Sequence, residues 1–89
     1  MAGVLRGERV TQWQAEVLAA AVATGPLQYD ARADKWRVGA LLVQRETVRP
    51  MVAAGMLRWA GVSGRDLMTA EVTARGRTLL QAMRQRRAA

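Results

Sequence analysis

The chain contains no cysteine and no histidine, which removes disulfides, thiol chemistry, thiolate or imidazole metal sites and every His-based catalytic arrangement. Acid–base and nucleophilic alternatives are thin as well. The seven carboxylates are scattered, Ser63 is the only serine and has no base spaced to activate it, and no GxxxxGK[ST] phosphate loop or metal-ligand spacing occurs. Asp30 and Asp34 read as turn residues of a hairpin loop and not as an acid–base pair. The expectation is a non-enzyme that needs no cofactor and no metal.

Long apolar runs are missing too. The longest mainly apolar stretch, Ala15 to Ala23, is interrupted by Glu16 and falls far short of the roughly 20 residues that cross a bilayer. Residues 1–10 carry Arg6, Glu8 and Arg9 with no apolar segment behind them, unlike a secretory signal. These features lead us to expect a cytoplasmic protein with no membrane partner. Lysine is nearly absent: Lys35 is the only one among fourteen basic residues, a bias that with the many alanines suggests a GC-rich bacterial or phage genome.

What remains is small, foldable and basic. Eighty-nine residues suit one domain. With 51% hydrophobic and 24% charged residues the balance is that of a globular chain. The formal net charge is +7 and the isoelectric point about 11.7, as in domains that meet a polyanion or an acidic surface. The charge is uneven. Residues 1–44 hold five basic and four acidic residues, net +1, whereas residues 45–89 hold nine arginines against Glu46, Asp66 and Glu71, net +6.

Thr11-Gln12-Trp13-Gln14 has the form of a capping box, followed by Trp13, Val17, Leu18, Ala21 and Val22 on one apolar face until Gly25-Pro26. This predicts a helix over residues 12–24. Leu27-Gln28-Tyr29 and Lys35-Trp36-Arg37-Val38 alternate around a polar loop, a short hairpin with Tyr29 and Trp36 toward the core. After Gly39, apolar residues from Leu41 to Leu57 follow helical spacing, with Gly55 as a C-cap, and predict a second helix near residues 44–54. Pro50 requires either an irregular helix from about Arg45 or a later start capped by Thr47; the first is preferred. A second hairpin spans Leu57 to Val72 around Gly61 and Gly64. Thr73 can cap a last helix burying Leu79, Leu80 and Met83. The predicted fold class is α+β, a small winged-helix domain of about three helices and two short hairpins. Its predicted limits are an N-terminal extension (1–10), the domain (11–83) and a basic C-terminal tail (84–89).

Three segments carry a resemblance to winged helix-turn-helix domains of the MarR and PadR type. Residues 47–57, from Thr47-Val48 through Met51-Val52 to Gly55, are similar to a recognition helix and the glycine after it. Residues 58–72 stand where the wing stands, and Val72-Thr73-Ala74-Arg75-Gly76-Arg77-Thr78-Leu79-Leu80 resembles the segment that follows it. The chain departs from the family at residues 27–38, where a hairpin pattern replaces the usual second helix and only Ala40 to Val43 could supply a remnant turn. The resemblance implies double-stranded DNA as partner, the second helix in the major groove and phosphates held by the wing. The implied DNA-binding residues are Gln44, Arg45, Thr47, Arg49, Arg58, Arg65, Arg75 and Arg77.

The outward face of that helix, Glu46, Pro50 and Ala53, is poor in donors, so phosphate attachment is better supported than base readout. Arg75 and Arg77 would sit in the first turn of the last helix, where cations oppose the macrodipole unless an anion compensates. Gly76 between them suits close packing. Two functions from different classes follow. One is a small bacterial or phage transcriptional regulator or DNA-architectural factor. The other is a winged-helix protein-interaction module, such as a phage-encoded inhibitor of a host protein, suggested by the bland helix face, five methionines and Trp59. RNA fits less well, because aromatic residues do not interleave with basic ones along the chain. Monomer and homodimer are both compatible with the short last helix.

Overall fold

A computed structural model describes residues 10–63 and 67–88. Among these residues, three helices and five strands follow in the order α1 (Gln12–Thr24), β1 (Leu27–Asp30), β2 (Lys35–Val38), β3 (Leu41–Val43), α2 (Arg45–Ala53), β4 (Leu57–Ser63), β5 (Leu67–Val72) and α3 (Ala74–Ala88). The domain is a small α+β unit with one five-stranded antiparallel sheet of order β3-β2-β1-β5-β4.

Helix α1 begins at the expected capping box. The Gln14 N–H donates to Thr11 Oγ1 at 3.1 Å and the Thr11 N–H donates to Gln14 Oε1 at 3.0 Å. It ends at Gly25, whose φ of 113° is open to glycine and whose N–H donates to the Ala21 carbonyl at 2.9 Å. Replacing Thr11 by Ala removes the hydroxyl acceptor of the box, leaves the residue 11 N–H to Gln14 Oε1, and should cost about 1 kcal/mol, read as a lower urea midpoint with an unchanged slope. The buried side of α1 is Ala15, Val17, Leu18 and Ala21. Trp13 and Val22, expected on that face, are more than one-third exposed. Trp13 lies about 140° around the helix from Leu18, and Val22 sits in the last turn.

Two corrections concern the region after α1. Leu41 to Val43 is neither helical nor a remnant turn but strand β3, paired with β2 through Val38↔Leu41, Arg37↔Leu42 and Trp36↔Val43. The two-residue loop Gly39-Ala40 makes this hairpin, with Gly39 at φ +57°, the glycine-first arrangement of a tight hairpin turn. The two predicted hairpins are also one sheet, joined where β1 pairs antiparallel with β5 (Leu27↔Ala70, Gln28↔Thr69).

Alternation along the strands places Leu27, Tyr29, Trp36, Val38, Leu41, Val43, Leu57, Trp59, Met68, Ala70 and Val72 on one face. All three helices cover that face, since Gln28, Arg37, Leu42 and Arg58 on the other are exposed. Leu18, Leu27, Val43, Val48, Met51, Met56 and Leu57 lie at its centre, essentially without solvent contact.

Helix α2 starts after Gln44 and runs through Pro50, so Thr47 is not its cap: the N–H groups of Thr47 and Val48 both donate to the Gln44 carbonyl. Pro50 is exposed, so the Glu46 carbonyl that lacks its partner is open to water. The helix closes at Gly55 (φ +79°), where Gly55 N–H donates to Val52 O and Met56 N–H to Met51 O. This is the paired Schellman arrangement, with Met51 and Met56 both buried beneath it.

Thr73 caps α3 and clasps it to that end of α2. Its Oγ1 accepts from the Gly76 N–H at 3.0 Å, its hydroxyl donates to the Gly55 carbonyl, and its own N–H donates to the Met56 carbonyl at 3.1 Å. Leu80 is buried and Leu79 and Met83 pack partly against the core, the side expected of this helix. Helix α3 continues to Ala88, past the boundary drawn at residue 84.

Candidate nucleic-acid interface

The helices do not cover the whole inner face. Beyond the core, toward the turn ends of β1–β2 and β4–β5, Tyr29, Trp36, Trp59 and Met68 line a cavity of about 250 Å³ whose other wall is Arg45 and Arg49 of α2. Register explains the grouping: Tyr29 is opposite Trp36 across β1–β2, and Trp59 is opposite Ala70 across β4–β5. Trp36 is the floor, 3% exposed. Trp59 stacks on it with centroids 5.6 Å apart and an interplanar angle of 30°, and Tyr29 tilts against it at 5.4 Å and 56°. Trp59 remains 49% exposed and Met68 42%.

Among the described residues, one carboxylate serves this cleft. Asp34, in the left-handed region at φ 53° that Asp tolerates, accepts the Tyr29 hydroxyl and pairs with Arg45 at 3.3 Å. Donation to Asp34 and partial burial hold the Tyr29 phenol above its ordinary value. Neighbouring Asp30 shapes the loop: it accepts the N–H groups of Arg32 and Ala33 and the Arg37 guanidinium at 2.9 Å, which holds its carboxyl below the usual range. Arg49 lies one turn beyond Arg45 on the same flank of α2 and has no carboxylate partner among the described residues. The wall of the cleft is therefore positive at Arg49 and half-compensated at Arg45.

No family model, curated protein or solved structure matches this chain. Of the residues expected to bind DNA, Arg45 and Arg49 are exposed on α2 and line the cleft, Gln44 is exposed at the N-cap of that helix, and Thr47 is half-buried. Arg58 projects from the uncovered sheet face, paired with Glu71. Arg65 lies outside the described residues. Arg75 donates from Nε to the Ala54 carbonyl at 3.1 Å, placing its charge at the C-terminal end of α2, where the macrodipole favours a cation. Arg77 is exposed in the first turn of α3. The structure therefore groups the α2 residues and separates Arg58 from them.

Sequence reasoning missed the cleft itself. Alternation at period two favours core packing over a base-stacking platform for Tyr29 and Trp36, which describes Trp36, and aromatic and basic residues do not interleave along the chain. In space the interleaving exists, because β1–β5 pairing brings Trp59 and Met68 beside Tyr29 and Trp36, and α2 lays Arg45 and Arg49 over them. Among the described residues no group of three or more potential metal-ligating side chains gathers, and no helix is long and apolar enough to cross a membrane.

Proposed function

We propose that this domain binds DNA through α2 and the adjoining β4–β5 hairpin, as a small bacterial or phage transcriptional regulator or DNA-architectural factor. In this reading the hairpin acts as the wing of a winged-helix domain, and α2 approaches the major groove without the usual second helix behind it. The observation that carries the reading is the positive flank of α2, where Arg45 and Arg49 stand one turn apart and Arg49 has no carboxylate partner among the described residues. Such a surface suits phosphates, which position a protein on nucleic acid without reading its sequence.

A gel-shift salt titration on random-sequence duplexes tests it. Affinity should fall with a log–log slope of about −0.9 per phosphate contact; Arg49→Ala should make that slope shallower by about one such unit, and adding Arg45→Ala should change it by less than a further unit, since Arg45 is shared with Asp34. Arg58→Ala should change it much less, since its guanidinium faces the opposite side of the sheet and is engaged by Glu71. Absence of duplex binding at low salt would sink the reading.

A protein-interaction module is the second reading, favoured by the apolar exposure of Trp59 and Met68 on one cleft. A partner retained from a nuclease-treated lysate, and lost on replacing Trp59, would select it.

A further inference from the structure

The cleft has the ingredients of a base-stacking site: a half-exposed indole fixed by the ring beneath it, a second aromatic wall, a polarizable thioether and, at the rim, the Arg49 guanidinium, which has no carboxylate partner among the described residues. Its volume of about 250 Å³ is below the roughly 300–1,000 Å³ of pockets for drug-sized ligands, which suits one planar ring system. Trp59 is held on one face by Trp36, so the ring is oriented before anything binds and little ordering cost remains. Charge selects among planar ligands. Asp34 is already shared by Tyr29 and Arg45, which leaves Arg49 to an incoming anion.

We infer that the cleft receives an unpaired nucleobase, so that the domain holds single-stranded nucleic acid in preference to duplex, with the base against Trp59 and a flanking phosphate on Arg49. This rests on the nucleic-acid reading above. A base inside a duplex already has both faces stacked and must leave the helix to meet Trp59. An unpaired base offers its face at once. The contact is tolerant of sequence, since every base has a π-face.

The test is a fluorescence titration with oligo-dT, oligo-U, an abasic oligonucleotide of the same length and a duplex of matched length, at one ionic strength. Either single strand should quench tryptophan emission and bind more tightly than the duplex. The abasic strand should bind roughly tenfold or more weakly than dT, Trp59→Ala should lose a similar factor, and Trp59→Phe should retain most of the affinity. Unaltered circular dichroism of Trp59→Ala separates this loss from unfolding. Equal binding of the abasic strand, indifference to Trp59→Ala in a folded variant, or preference for the duplex overturns the stacking site while leaving the DNA-binding reading in place. Binding of no nucleic acid in any arm overturns both and leaves the cleft to a protein partner.

Discussion

Gly76→Ala should destabilise the domain by about 3 kcal/mol, the upper part of the range for overpacking, although alanine is the better helix former by about 1 kcal/mol. The sign is set by the backbone. A Cβ at residue 76 would stand 2.3 Å from the Met56 carbonyl oxygen and 3.0 Å from Val72 Cγ1. That oxygen cannot move aside alone, because it accepts the Thr73 N–H and belongs to the turn that closes α2. Relief would require lifting the first turn of α3 from the end of α2. Thermal unfolding followed by circular dichroism should show a large fall in midpoint, at roughly 4–8 °C per kcal/mol for a domain of this size. Ala82→Gly, a change at an exposed position of the same helix, should cost only about 1 kcal/mol by propensity. A midpoint raised by Gly76→Ala would mean that α3 does not seat on Met56.

The same clasp shows how far the sequence could be read. As helix caps, Thr11, Gly25, Gly55 and Thr73 act within a few residues of their own positions, and each lies at the helix end expected of it; the bonds from Thr73 to Gly55 and Met56 are long-range and were not legible. Hairpin β1–β2 was legible because its alternation and its Asp30 turn are local. Strand β3 was not, since Leu41-Leu42-Val43 fits a helical run as well as a strand, although Gly39-Ala40 between apolar neighbours was a usable hairpin signal. The cleft depends on Leu27 meeting Ala70 across 43 positions of sequence, and no local pattern encodes that pairing. Charge counting had a similar limit. It registers Arg58, Arg45 and Arg75 alike, whereas the fold gives the first to Glu71, shares the second with Asp34 and sets the third on the Ala54 carbonyl. Arg75 also resolves locally what looked unfavourable: a cation at the start of α3 is simultaneously a cation at the end of α2.

Trp36→Ala should cost about 3–5 kcal/mol, the range for truncating a large buried aromatic and a large share of the stability of a small domain. Trp36 is 3% exposed, pairs across both neighbours of β2 with Tyr29 and Val43, and supports Trp59 by stacking. Its removal leaves a void beneath the cleft that Tyr29 cannot fill, because the phenol is tied to Asp34. Trp59→Ala should cost far less, since half of that ring is already in water and the loss reduces mainly to the ring–ring term of about 0.5–1.5 kcal/mol and part of the burial. Urea titrations of the two single variants and the double variant measure this directly. The double variant should be less destabilised than the two singles added together, by that ring–ring term, because Trp59 has nothing to stack on once Trp36 is gone. Equal costs for the two single variants would mean that Trp59 is as much a part of the core as Trp36, and a residue needed for the core has no free face to offer a ligand. The large asymmetry expected here is what allows one aromatic stripe to be structural at its floor and available at its rim.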